Sequence, residues 1–489
     1  MPQEPVNMEK FMIGWSEADI TPVTEKKINL YGQYYSRIAT GIHSRLKTVA
    51  AAFSSGKEQF LTASLDLVNF QQDFHRKVRA MVHELEPEID PEKIFLSAIH
   101  THNGPSATPV GLSNVWQERD QEELTPEEYV EFVIPIIARN LVDAWHNRQP
   151  GGIARAFAFA RVGHCRRPVF ANGKAEMYGD TTRPDFIGME AGEDSGVDML
   201  FTFDETGKKT GMFLNVACPS QVMESTYKVS SDFAGATREL LKKDFGKDFH
   251  MLYQVSSAGC QSPRDLVRHY TTEPDFWHED GVDEIAKRLR DAAVSAVPGK
   301  IDYAPVFKHT AMHVTLPRRR ASYVDYKNAQ AELARLTAIM PKKEAFEAFC
   351  AETHAREKIN GPGPYDSKLH HFVLIKNAEA VISRYQIQNQ DPTVGFDMNV
   401  VRLGDIAVAS NPFELYLYYG QNIKARSHAA QTFLVQLAAG ADHPAGYLPS
   451  PDAEKFGGYG GLIINGQVGS EGGYKLADLT VNEINKLFN

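Results

Sequence analysis

Lys93-Ile-Phe-Leu-Ser-Ala-Ile99 runs directly into His100-Thr-His102-Asn-Gly-Pro105. The first seven residues are a short apolar run of the kind that fills a strand buried on both faces. The Asn-Gly-Pro sequence then forces a turn. Upstream, Phe60-Leu-Thr-Ala-Ser-Leu-Asp-Leu-Val68 has the same buried-strand pattern, and Gln71 to Glu86 between them is amphipathic with helical spacing. Strand, helix, strand with both strands apolar predicts an α/β fold: a mixed β-sheet core with flanking helices.

The pattern continues outward. Thr125-Pro-Glu-Glu128 is a helix start, with Thr125 at the N-cap, Pro126 at N1 and Glu128 completing a capping box. The helix over Phe132–Trp145 that follows contains Pro135, which is expected to kink it. Gly211–Ala217 and His250–Val255 read as strands, and between them Ser231-Asp232 caps a helix reaching about Asp244. Strands resume at Met398–Arg402 and Ile406–Ser410. Tyr326 to Glu357, rich in Ala, Glu and Lys, predicts one or two exposed helices, broken by Asn360-Gly-Pro-Gly-Pro-Tyr365. No linker and no internal repeat stands out. Residues 1–489 therefore read as one connected unit with a helical insertion at 320–390.

Composition narrows the function. The 489 residues are 43% hydrophobic and 23% charged, ordinary for a globular protein and incompatible with a rod or a disordered chain. The net charge of −10 argues against nucleic acid and against stable membrane association. No apolar run spans a bilayer, and Met1–Lys10 has neither a basic nor an apolar export region. Cys165, Cys218, Cys260 and Cys350 form no Cys-x-x-Cys pair, so reduced thiols and a cytoplasmic location are expected.

Five stretches carry chemistry. Residues i and i+2 of an extended chain share a face, so His100 and His102 point together, as a metal or proton-transfer pair requires. The plain alternative is two histidines held by backbone carbonyls. Ser257-Ala-Gly-Cys-Gln-Ser262-Pro-Arg-Asp265 is a small-residue loop after a strand, in which Ser262 is a nucleophile, a donor or simply a turn cap. Glu414, just past the Ile406–Ser410 strand, is a metal ligand, a general base or a first-turn helix carboxylate. Ala445-Gly-Tyr447-Leu-Pro-Ser450 and Gly457-Gly-Tyr459-Gly-Gly461 wall a pocket or only turn. His43 and Arg45, with His164, Arg166 and Arg167, offer cationic groups to a substrate, although surface arginines are commonly just solvated.

In order along the chain, these pieces resemble the neutral/alkaline non-lysosomal ceramidase family. The matching stretches are Asp19-Ile-Thr-Pro22, Gly41-Ile-His-Ser-Arg-Leu46, Ala98-Ile-His-Thr-His-Asn-Gly-Pro105, Arg166, Ser230-Ser-Asp-Phe-Ala-Gly235, Gly259-Cys-Gln-Ser-Pro263, Pro412-Phe-Glu414 and Tyr447-Leu-Pro-Ser450. The resemblance implies a single catalytic domain, as in a short bacterial-type member without the C-terminal immunoglobulin-like domain, and hydrolysis of an amide by a zinc-bound water. It implies that His100, Glu414 and Tyr447 hold Zn2+ and that His102 polarises the carbonyl. Ser262 and Arg166 line the substrate side, and His43, Arg45, Gln221 and Tyr459 contribute to substrate binding.

One family element differs. The strand end that should carry the second zinc histidine reads Asn215-Val-Ala-Cys-Pro-Ser-Gln221. Cys218, Gln221, Glu224 or His102 is then the substitute, or the pocket works without metal. The leading expectation is a hydrolase acting on a soluble small molecule, most simply an amide. A metal-independent carbohydrate-active enzyme, drawing on Glu414, Asp66, Asp232 and Asp265 for acid and base, is the second reading. The third is a non-catalytic binding protein. A homo-oligomer is open on this evidence.

Overall fold

Met12–Asp19, Lys47–Ser55 and Glu58–Leu65 pair antiparallel in succession. The chain then crosses through the Gln72–Leu85 helix and returns as Ile94–Ala98, parallel to Glu58–Leu65, before the Pro126–His146 helix closes the unit. In the computed structural model, which describes residues 10–33, 37–108, 122–267, 277–356, 370–441 and 445–489, this course is followed three times. The second passage is Gln149–Phe159, Gly196–Asp204 and Lys209–Val216, the Asp232–Phe245 helix, parallel His250–Val255, then the His278–Ser295 helix. The third is Phe307–Pro317, Thr393–Leu403 and Ile406–Ser410, the Leu417–Arg426 helix, parallel Gln431–Val435, then the Ser470–Phe488 helix. The expectation of no internal repeat is thus corrected. The recurrence lies in topology, and the residues filling it differ from unit to unit.

The first two units join through Met12–Asp19 and Gln149–Phe159 into one eight-stranded sheet, and the third forms a four-stranded sheet. Each unit packs its two helices on one sheet face, with its own apolar core. The opposite faces share a common core: Val49, Ala51, Phe53 and Phe60 meet Leu200, Phe213 and Leu252, with Val401, Val408 and Phe433. Both faces being covered is why Thr48–Ser54 is buried throughout and why these strands lack polar alternation. Met12–Asp19, Lys47–Ser55, Gln149–Phe159, Gly196–Asp204, Phe307–Pro317 and Gln431–Val435 are strands in addition to those expected from the sequence.

Two local expectations change. The Pro126–His146 helix runs on through Pro135, which sits on its exposed side. Ser231 is the N-cap of the next helix without a side-chain cap; instead Asp232, at φ 54°, accepts from the Met223 and Phe233 amides. The insertion consists of the Tyr323–Ile339, Lys342–Arg356 and His371–Ile387 helices, between the first two strands of the third unit. It has a small core of Leu336, Ala345, Phe349, Phe372 and Ile375. Asn360–Tyr365 lies outside the described residues. Among those residues, no helix is long and apolar enough to cross a membrane.

Past its end, Gln431–Val435 stitches the three units together. The Gln436 amide donates to the Val255 carbonyl, Ala98 donates to Leu437, and Ala439 to Leu96. The Gln436 side-chain oxygen accepts from the amides of Ala258 and Leu415. The carboxyl ends of the parallel strands are thereby drawn to one place.

Candidate functional site

His100 leaves the first of those strand ends at φ 67°. Its ring Nδ1 lies 2.8 Å from the Val68 carbonyl oxygen, which can only accept, so Nδ1 carries the proton and Nε2 presents a lone pair. His102 Nδ1 lies 3.3 Å from Glu224 Oε2, with the Gln33 amide beside it. The Glu224 carboxylate and the Gln33 amide call for opposite tautomers of His102; with the amide donating to Nδ1, Nε2 carries the proton and faces the His100 lone pair. The two Nε2 atoms are 3.3 Å apart. Burial pushes both imidazoles below their ordinary pKa; for His102 the neighbouring His100 and Arg37 add to the effect, and for His100 the Glu414 carboxylate opposes it. Gly32 makes room for this arrangement. At φ +116°, a Cβ there would stand 2.6 Å from the His102 ring.

Glu414 Oε2 lies 3.6 Å from His100 Nε2 and 3.7 Å from Arg166 Nη2. Tyr447 pairs in parallel register with Glu414, which puts its phenol beside the carboxylate. Its hydroxyl oxygen accepts from Arg166 Nη2 at 3.1 Å, and burial raises its pKa well above the ordinary value. Arg166 also donates to the Gly259 carbonyl at 3.1 Å. Gly259 also lets the Glu414 backbone pack close, since a Cβ would stand 2.3 Å from the Glu414 carbonyl oxygen.

His100, His102, Glu414, Tyr447 and Tyr459 line a cavity of about 80 Å³, completed by Tyr31, Gln33 and Asn69. Burial and the nearby Glu414 push the Tyr31 phenol up to about 12. A second cavity of about 210 Å³ shares Tyr31, Asn69, Glu414, Tyr447 and Tyr459. Tyr459, Ile464 and Asn465 also border a third, mainly apolar chamber of about 450 Å³, whose far wall includes Phe349 and Phe372 of the insertion. The insertion therefore walls one side of this region.

Other candidates stand elsewhere. Ser262 and Gln221 do not line the His100 cavity. They meet at Tyr178, whose hydroxyl donates to Ser262 Oγ at 2.8 Å and accepts from Gln221 Nε2 at 3.2 Å. The Arg264 amide also donates to Ser262 Oγ. His43 is exposed with Nδ1 3.1 Å from Ser230 Oγ, and Arg45 pairs with Asp19 at the surface; neither lines the cavity. His164 pairs with Glu193, and Arg167 forms a buried pair with Glu190.

The carboxylates of the carbohydrate reading are also engaged away from the cavity. Asp66 pairs with Arg238 at 2.8 Å, Asp232 anchors the 220–224 loop, and Asp265 pairs with Arg161 at 2.9 Å. Tyr31, Gln33, Asn69 and Tyr178 belong to no recognised motif; only the fold reveals their place.

Among the four substitutes for the absent histidine, Cys218 is buried with its thiol pushed well up, against the Val162 carbonyl. Gln221 faces Tyr178, and Glu224 lies behind His102.

The fold is that of crystallised ceramidases. Neutral ceramidase from Pseudomonas aeruginosa superposes with a TM-score of 0.65 at 18% identity, over 97% of this chain and 74% of that one. A structure described as ceramidase complexed with C2 gives 0.65 at 16% identity with the same coverage. No family model and no curated protein matches the sequence.

Among the described residues, no three His, Cys, Asp or Glu side chains close into a ready metal cage. The donors are arranged as pairs, His100 with His102 and His100 with Glu414, and Tyr447 adjoins Glu414. Imidazole nitrogen, carboxylate and phenol oxygen suit zinc chemically, so three of the four implied donors are present.

Proposed function

We propose that the protein is a hydrolase that cleaves an amide bond in a soluble, N-acylated small molecule. The observation that carries this reading is the convergence of His100, Glu414 and Tyr447 on one cavity, with Arg166 reaching Tyr447 and Glu414, from three topologically equivalent units. With no metal bound, Glu414 takes a proton from the attacking water and passes it to the leaving amine; with zinc bound it is a ligand instead. The Arg166 guanidinium, fixed by the Gly259 carbonyl and Tyr447, supplies positive charge to the oxyanion that develops from the carbonyl. The buried, neutral Tyr447 phenol is a further donor. His100 and Glu414, with Tyr447, are the residues that would hold zinc, which when bound supplies Lewis acidity and a water ionising near neutral pH. The apolar chamber beyond Tyr459 receives the acyl group, and the mixed polar and apolar cavity around Asn69 and Tyr31 receives the amine side.

The test is turnover of a panel of N-acyl p-nitroanilides and N-acyl amino acids of graded chain length. Glu414→Gln and Arg166→Met are each expected to lower kcat by about 100-fold or more. Turnover of chromogenic glycosides, with none of the amides, would overturn the proposal.

A further inference from the structure

Arg166 and Arg167 are neighbours in the chain and serve different tyrosines. Arg166 donates to the Tyr447 hydroxyl at 3.1 Å. Arg167 instead grips the loop that carries Tyr459. Its Nη1 donates to the Tyr459 carbonyl and its Nη2 to the Gly457 carbonyl at 2.6 Å, while Nε pairs with Glu190 Oε2 at 2.5 Å. Both side chains of that pair are 1% exposed. The Glu190 amide donates in turn to the Arg167 carbonyl at 2.9 Å. Desolvation of a buried pair offsets most of its attraction, so stability alone gives little reason for it. Geometry gives a better one, because a guanidinium holds two carbonyls and a carboxylate in one planar fork that an ammonium does not reproduce.

The gripped loop is tightly seated. Gly458 and Gly460, on either side of Tyr459, stand at φ 74° and 86°. A Cβ on Gly458 would stand 2.2 Å from the Ala175 carbonyl oxygen, and one on Gly460 2.5 Å from the Tyr416 hydroxyl. The Tyr459 ring meets Tyr447 edge-on, with centroids 5.5 Å apart. Tyr459 lines the 80 Å³ cavity beside His100, the 210 Å³ cavity beside Asn69 and the 450 Å³ apolar chamber alike. Arg167 is not among the described residues lining any of the three. We propose that Arg167, anchored by Glu190, is the positioning residue for Tyr459: it fixes the 457–461 loop so that the Tyr459 ring stands at the junction of the reaction cavity and the apolar chamber and selects the acyl chains that pass between them. The proposal rests on the amide-hydrolase reading and extends it from the reacting bond to the choice of chain length.

The experiment is a double-mutant cycle with two readouts. One is kcat and KM for N-acyl p-nitroanilides from acetyl to dodecanoyl; the other is the affinity for dansyl-undecanoic acid, an apolar probe that fluoresces when it leaves water. Arg167→Lys keeps the charge and loses the fork. It should weaken probe binding by about 10-fold and raise KM for the dodecanoyl amide about 10-fold more than KM for the acetyl amide. Tyr459→Ala should flatten the dependence on chain length to a similar extent. The double variant should be no worse than Tyr459→Ala alone, because the effects of residues that act through one another do not add. Arg167→Met combined with Glu190→Gln removes both buried charges at similar volume and should reproduce Arg167→Lys.

Additive effects of Arg167→Lys and Tyr459→Ala overturn the proposal. So does an equal rise in KM for acetyl and dodecanoyl amides, since a pair that only held the fold would weaken every substrate alike. Lysine serving as well as arginine overturns it too. Should Arg167→Lys not fold, the variant lacking both charges takes its place in the cycle. The two readings fail separately. Probe binding that follows the cycle in a chain hydrolysing no amide refutes the hydrolase reading and leaves the positioning of Tyr459 standing. Amide turnover indifferent to chain length, in a wild-type chain that binds no probe, leaves the hydrolase reading standing and refutes selection by Tyr459. Neither turnover nor probe binding refutes both.

Discussion

His309 shows how burial alone sets the behaviour of a histidine. Its Nδ1 lies 2.9 Å from the Gln59 carbonyl, the Asn399 side chain meets Nε2, and burial holds its pKa down at about 4 against an ordinary 6.5. In the unfolded chain it gains a proton near pH 6.5; in the folded chain only near 4. Between those values the unfolded state binds more protons, so stability falls as the pH falls. The loss attributable to this group is up to about 3 kcal/mol. Urea unfolding followed from pH 7 to 4 should show it, and His309→Gln should flatten the dependence. Equal pH slopes in the two proteins would contradict this. Gly32 is the other position where one atom matters. Gly32→Ala puts a methyl into the His102 ring at a backbone angle that alanine resists, and should cost about 1–3 kcal/mol. It should also perturb the histidine pair, which an NMR titration of the imidazole resonances would report.

Among the elements, the segments leaving the parallel strands do the positioning. Asp66, at the end of Glu58–Leu65, receives the Lys47 amide and pairs with Arg238 of the Asp232–Phe245 helix, tying the first unit to the second. Both partners are buried, so Arg238→Ala leaves an uncompensated carboxylate and should destabilise by about 3–5 kcal/mol in chemical denaturation. An effect below about 1 kcal/mol would mean that water reaches Asp66 in the variant. The Thr125 capping box is present as the sequence predicted, with Thr125 Oγ1 accepting from the Glu128 amide. Thr125→Ala should cost about 1 kcal/mol, a loss local to one helix end.

At the scale of the molecule, three layered units press their outer sheet faces together and leave the strand ends gathered on one side. The insertion adds the apolar chamber. Phe349→Asp places a charge in its wall and should raise KM for long-chain amides by about 10-fold or more while leaving kcat for short-chain ones nearly unchanged. Equal effects on both substrates would place acyl binding elsewhere.

Local sequence by itself determined the elements whose signals are local. Ile94–Ala98, His250–Val255 and Ile406–Ser410 are apolar runs, the Gln72–Leu85 helix is amphipathic, and the Thr125 cap is a four-residue pattern; each was legible without a fold. The proximity of His100 and His102 was expected from extended geometry, but the strand ends at Ala98 and His100 turns at φ 67°, so it is the turn that brings the two rings together. Only tertiary structure decided that Glu414 and Tyr447 stand with them, that Arg166 reaches Tyr447, and that Asp66, His43 and Arg45 turn elsewhere. Alternation failed for strands such as Lys47–Ser55 because both their faces are buried. The threefold course of the chain leaves no repeat in the sequence because topology constrains hydrogen-bond partners and crossovers, while the side chains that fill each core need only be apolar and of suitable volume.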